Sequence, residues 1–392
     1  MLPNFLQSRL HGRLSHDTRF SRPQLPEANN QERCTEGNTN EPPALSACRA
    51  GDIELLKNEL TERPNLISEE FRSARSGFLR TLLFMATSNG HYGIVEYLLE
   101  NRADPDKACD GVTPLHQAAC NGHLGIAQLL LRYGANIDSI HNGATPLLLA
   151  ARWGRKDVAE YLLIEGANPT IACGRATPLY QAIYRGHTAI VELLLTEKTR
   201  IELQEQGPKY LYAAAQRGHA DVIKLLLNQG IDKNAQCSGA SALFTAVEYK
   251  NIEAVRCLLN ASVNIESAYN GLTPLFKAVQ KGHVDIAALL LEHGADINTS
   301  WSCIPIFCRA VASNNLEMVS LLAQHGADLE SGIAAGMSCQ KSPLQIAEDQ
   351  NYTAIARFIK AEMKIRRKGS ATTGLFTSIR IKNIFGIKYQ RL

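Results

Sequence analysis

No stretch of this 392-residue chain reaches the ~18 consecutive apolar residues that a membrane-crossing helix needs. Its ten cysteines include no CxxC pair, and the nearest two are Cys303 and Cys308. That removes the ligand spacing of a zinc site, and thiols scattered in this way suit a reducing compartment. No GxxxxGK[ST] loop is present, no GxGxxG follows a strand, and no GxSxG elbow occurs. Acid pairs such as Glu69–Glu70 have no partner acid or base at a fixed spacing. No catalytic residue, metal ligand or cofactor site is therefore assigned, and the chain is read as non-enzymatic. The opening MLPNFLQSRL lacks a small-residue cleavage site, so a secretory signal is not expected. Arg9 and Arg13, with no acid among the first 16 residues, leave a mitochondrial transit peptide open.

What is present is a repeat. Residues 110–142 read DGVTPLHQAACNGHLGIAQLLLRYGANIDSIHN, and NGATPLLLAARWG continues the pattern at once. Thr113 is placed as a helix N-cap with Pro114 at the first helical position, where a missing N–H costs nothing. A short helix through Leu115, Ala118 and Ala119 should end at Gly122, in the left-handed conformation that suits glycine. A second helix runs from His123 with Ile126, Leu129, Leu130 and Leu131, and Gly134 stops it. Two helices this short cannot bury both faces alone, so the unit must stack on copies of itself.

The strings TPLH, NGH and GAN, with this spacing, resemble the ankyrin repeat. Unit starts fall at Thr81, Thr113, Thr145, Thr177, Lys209, Ser241, Thr273 and Pro305, each 32 residues apart. Weaker copies begin at Pro42 and Ser342, which gives about ten repeats over residues 42–363. The resemblance implies an all-α solenoid of helix pairs with short hairpin turns. At ~8–10 Å per helix pair it would form a rod on the order of 90 Å long. Residues 1–41 are read as a disordered tail, residues 42–80 and 342–363 as caps, and the exit from Thr61 to Arg80 as a surface loop.

Two units depart from the pattern. The one from Lys209 lacks Thr-Pro, and the turn before it, TEKTRIELQEQG, lacks Gly-Ala-Asx. It is read as a soft joint, with faster amide exchange over 197–215 than over 133–151. The unit from Pro305 lacks the cap and the Gly-His pair, and residues 330–341 are read as an enlarged loop. The last helix is expected over Thr353–Lys364.

The histidines at 91, 123, 187, 219 and 283 recur once per repeat after glycine. One repeat apart, they cannot share a metal held at ~2 Å. Their imidazoles are expected to bond backbone groups of neighbouring units, and His116 in TPLH to be structural as well.

Residues four, seven and eight after each Thr position are expected on the exposed, concave side of the first helix. There Arg152, Trp153, Tyr184, Arg185, Arg217, Tyr249 and Lys281 stand out, because Trp, Tyr and Arg dominate binding hot spots. Tyr269 and Trp301 mark the turn tips as a second surface. Residues 364–392 carry eight Lys or Arg and no acid, which leaves the remainder of a +3 chain at −5. That basic, partly apolar tail suits an anionic membrane surface or an acidic partner, and KIRRK is a weak nuclear address. The reading is a monomeric, cytoplasmic scaffold or adaptor for a protein partner, which could be acidic, with no nucleic acid expected. A peripheral membrane anchor and a client-recruiting subunit of a ubiquitin ligase are the alternatives, although no SOCS-box or F-box pattern comes after the array.

Overall fold

The computed structural model describes residues 42–72, 79–174, 176–332 and 341–369. The N-terminal tail, most of the 330–341 insertion and residues 370–392 lie outside them. The chain divides into two compact units, residues 1–178 and 179–392. Twenty helices are described, and they succeed one another as antiparallel pairs. The first unit holds α1 (Pro43–Ala50) with α2 (Ile53–Glu62), α3 (Leu82–Asn89) with α4 (Tyr92–Glu100), α5 (Pro114–Asn121) with α6 (Leu124–Arg132), and α7 (Pro146–Trp153) with α8 (Lys156–Ile164). The second begins with α9 (Pro178–Arg185), α10 (Thr188–Leu194), α11 (Glu197–Arg217) and α12 (Ala220–Asn228). It continues with α13 (Ala242–Glu248), α14 (Ile252–Asn260), α15 (Pro274–Lys281), α16 (Val284–Glu292), α17 (Ile306–Ala312), α18 (Leu316–Gln324), α19 (Pro343–Asp349) and α20 (Thr353–Gly369).

The local chemistry expected from sequence sets these boundaries. Thr113 Oγ1 accepts the His116 N–H at 3.4 Å, and Thr145, Ser241 and Thr273 cap α7, α13 and α15 in the same way. Gly122 ends α5 at φ 86°. Within each unit, first helices pack on first helices (α3 on α5, α5 on α7; α13 on α15, α15 on α17), and second helices do the same. The seams are filled by small and branched side chains such as Leu147, Ala150, Ala151, Leu243, Ala246 and Val247, all buried. Pairs of two-residue strands join the helix pairs, namely β1 (Phe71–Arg72) with β2 (Leu79–Arg80), β3 (Gln236–Cys237) with β4 (Ala240–Ser241) and β5 (Ser300–Trp301) with β6 (Ile304–Pro305). A backbone ladder runs beside them. Asp106 accepts the Asn136 N–H at 3.0 Å and Asp138 that of Asn168 at 3.0 Å in the first unit. Asn234 accepts from Asn264 at 2.7 Å and Glu266 from Asp296 at 2.8 Å in the second.

Three expectations change. The exit at 61–80 is not all loop: a 3-10 turn covers Pro64–Ile67, and Phe71–Arg72 pairs with Leu79–Arg80. The soft joint is a helix. Thr196 and Thr199 form a capping box, and α11 then runs unbroken for 21 residues, through Pro208, to Gly218. Its inner side buries Thr199, Leu203, Gly207, Tyr210 and Leu211 and packs on β3. Gly207 allows the close approach, since a Cβ there would lie 3.2 Å from Ile231. Helical amides bonded four residues back are protected, so exchange over 200–206 and 212–217 should be slower than in the turn at 133–145. Hydrogen exchange read peptide by peptide checks this, and faster exchange in the helix would restore the joint. Finally, the last helix runs five residues past Lys364. Arg366 donates to Ala327 O at 2.8 Å, to Ala323 O at 2.5 Å and to Glu362 at 3.2 Å, while Arg367 pairs with Glu330 at 3.1 Å.

Candidate partner-binding face

Positions four, seven and eight of a first helix share one side, being three and four residues apart. The stack does not leave them equally open. Position four is buried at Gln181, Ala213, Thr245 and Lys277 and half-buried at Gln117, Leu149 and Arg309. Lys277 is only 2 % exposed and is neutralised by Glu248 at 2.8 Å. Position seven is half-buried at Tyr184, Gln216, Glu248 and Gln280, and buried at Cys120 and Arg152. Arg152, expected on the surface, is 8 % exposed, with its guanidinium 5.6 Å from the Trp153 ring centre. Trp153 is half-buried. Position eight, at the C-terminal end of the helix, is the open one: Arg185, Arg217, Tyr249 and Lys281 are all exposed.

In the second unit some of these residues touch across repeats. The Arg217 guanidinium lies 4.1 Å from the Tyr184 ring centre and donates to its hydroxyl. Tyr184 stacks on Tyr180 at 5.9 Å, and the Lys209 ammonium lies 4.5 Å from the Tyr180 ring centre. Tyr249, 44 % exposed, accepts a hydrogen bond from Gln216 Nε2 at 2.9 Å. Tyr180 and Lys209 stand outside the four-seven-eight pattern, which is why the spacing missed them.

The turn-tip aromatics are not free surface. Tyr269 and Trp301 are half-buried, each lying over the preceding hairpin. A Cβ on Gly239 would lie 3.6 Å from Tyr269, and one on Gly271 would lie 3.7 Å from Trp301. Tyr269 packs on Phe244 at 5.3 Å and Trp301 on Phe276 at 6.3 Å, and the Trp301 indole N–H donates to Asn270 O at 3.2 Å. Large rings are used here as spacers between hairpins, a role that smaller Cys173 plays over Gly143.

His91 and His219 bridge neighbouring repeats as expected, whereas the buried Nε2 of His283 has no hydrogen-bond partner. His91 Nε2 meets Arg49 O at 2.9 Å, and His219 Nε2 meets Tyr184 O at 3.2 Å. Where the histidine is replaced the bridge survives. Arg155 Nε donates to Cys120 O at 2.9 Å, and Asn251 donates to Ala215 O at 2.8 Å. His116 is enclosed: its Nε2 faces Ala144 O at 3.0 Å and its Nδ1 faces Thr113 Oγ1 at 2.8 Å. A carbonyl only accepts, so Nε2 carries the proton and Nδ1 takes the hydroxyl's. Burial pushes its pKa down to about 4. The Cys48 and Cys308 thiols are held protonated by the same physics, since burial raises both to about 12.

Arg309, at position four of α17, is half-buried, and its Nε lies out of reach of solvent with no hydrogen-bond partner. An unmatched buried donor on a charged group costs about 1–3 kcal/mol or more. Burial lowers its pKa, and no acid offsets that. Among the described residues there is no cluster of His, Cys, Asp or Glu able to hold a metal, and no helix long and apolar enough to cross a membrane.

The family model for ankyrin repeats (3 copies) matches residues 44–141, 83–173, 171–237 and 211–300, together well over half of the chain. The chain belongs to the ankyrin-repeat family. The match supports an all-α ankyrin solenoid up to residue 300 but does not fix the number of repeats, and the helix pairs beyond that residue rest on their packing alone. Ankyrin repeats are generally protein-interaction modules, and the family is typically non-catalytic. Among curated proteins none matches this chain.

Proposed function

We propose that this ankyrin protein is a non-enzymatic adaptor that holds an acidic protein partner against the first-helix ends of its second unit. The observation that carries the reading is the Tyr184–Arg217 stack, flanked by exposed Arg185, Tyr249 and Lys281. A guanidinium already seated on a ring loses little freedom on binding, and Tyr and Arg supply most hot spots. The membrane alternative is weakened, because two of the eight cations of residues 364–392, Arg366 and Arg367, are engaged within the fold.

The test starts from affinity capture with the intact chain as bait. Against the captured partner, Arg185→Gln with Arg217→Gln and Lys281→Gln should weaken binding at least 10-fold and flatten its salt dependence. The thermal midpoint should move little, since exposed substitutions usually stay within about 0.5 kcal/mol. Unchanged affinity and unchanged salt dependence would place the partner elsewhere on the protein.

A further inference from the structure

The two cations at position four of neighbouring first helices, Lys277 buried and Arg309 half-buried, are treated differently. On α15, Lys277 reaches back to Glu248, at position seven of the unit before it, and its ammonium also lies 5.4 Å from the Phe244 ring centre. On α17, Arg309 occupies the same place one unit later. The position that would supply its acid is filled by Gln280, which carries no charge. On the other side, Asp349 of α19 is paired with Lys341 at 2.6 Å, and Glu348 with Lys360 at 2.7 Å. Arg309 therefore has a cation's desolvation without a carboxylate, and no described residue bonds its buried Nε. The residue still reaches solvent over part of its surface. Further along the same unit the open helix ends carry Arg185, Arg217 and Lys281 and, at position eight, no acid.

We propose that Arg309 is the anchoring socket for an Asp or Glu side chain of an acidic partner segment laid along the first helices of the second unit. A carboxylate from outside supplies what Glu248 supplies to Lys277. A guanidinium fork grips such a group in two parallel bonds, which an ammonium cannot do. Desolvated charge pairs at the centre of an interface carry more of the affinity than solvated rim pairs. The inference rests on the proposed binding face and adds the residue that fixes the partner's position along it.

The probe is a fluorescein-labelled decaglutamate peptide, read by anisotropy with the full-length chain at low salt, and its decaglutamine counterpart is the blank. Decaglutamate should bind and decaglutamine should not. Arg309→Gln should weaken binding at least 10-fold, and Arg309→Lys, which keeps the charge but loses the fork, by an intermediate factor. Lys281→Gln alone should change it about 2-fold. Arg309→Met gives an independent reading that needs no ligand. It removes a buried donor that has no partner, so the thermal midpoint should hold or rise, whereas a marked fall would make Arg309 a structural residue and overturn the socket. Failure of decaglutamate to bind the native chain also overturns it. If the Arg185/Arg217/Lys281 triple variant abolishes binding while Arg309→Gln does not, the socket falls and the binding face stands. If neither affects it, both fall.

Discussion

Acidification from pH 7.5 to pH 4 should cost this protein about 3 kcal/mol through His116 alone. The imidazole is fully buried, and its folded pKa is lowered to about 4 from 6.5. The unfolded chain therefore takes up a proton below pH 6.5 that the folded chain refuses until pH 4. The stabilisation is complete above pH 6.5, declines as pH falls, and is gone near pH 4. Each pKa unit is worth about 1.36 kcal/mol. His123, His141, His219 and His283 are shifted in the same direction, chiefly by burial, so their contributions add. Urea midpoints measured at half-unit intervals report the sum. The imidazole proton resonances isolate His116, which should not titrate between pH 7.5 and 5. An ordinary midpoint near 6.5 would show the ring open to water.

Gly186→Ala should destabilise the second unit by about 3 kcal/mol. Gly186 ends α9 at φ 78°, and a Cβ there would fall 2.5 Å from Nδ1 and 2.6 Å from Cε1 of His219. The left-handed backbone accounts for roughly 1–2 kcal/mol and the collision for about 1–3. The collision requires the ring, so in a His219→Ala background the same substitution should cost only about 1 kcal/mol. That leaves a coupling of about 2 kcal/mol between two residues 33 positions apart. Additive effects in the double-mutant cycle would mean that the ring does not sit over the glycine. His219 also meets the Tyr184 carbonyl, so the glycine shapes the ground on which the proposed binding face stands.

The repeat, its caps and the bridging histidines were legible because they are fixed by short-range chemistry: a Thr or Ser hydroxyl three residues before an amide, a glycine past a helix end, a histidine one repeat from a carbonyl. Much of what misled concerned neighbours. Spacing along α7 places Arg152 on the outer side, but its side chain is buried. Tyr269 and Trp301 look like exposed tips until the glycines beneath them are seen. The long helix α11 misled for a different reason. The missing Thr-Pro and Gly-Ala-Asx suggested a loose turn, while EKTRIELQEQ behind Thr196 is itself rich in helix formers. Arg309 gave no sequence signal, because its distinction is the absence of an acid on helices 30 residues away.

The grip of Arg366 on Ala323 and Ala327 changes where this protein can be cut. A truncation made at the end of the repeat pattern, after residue 363, removes more than a basic tail. It takes away the side chain that satisfies two carbonyls at the end of α18, and with it the Glu362 and Glu330 pairings. A protein shortened there would lose stability at its C-terminal edge, and a resulting loss of partner or lipid binding would be misread as the work of the tail. A stop placed after Gly369 keeps α20 whole and removes only residues 370–392. Comparing the two truncations separates what the basic residues do for the fold from what they do for anything outside it.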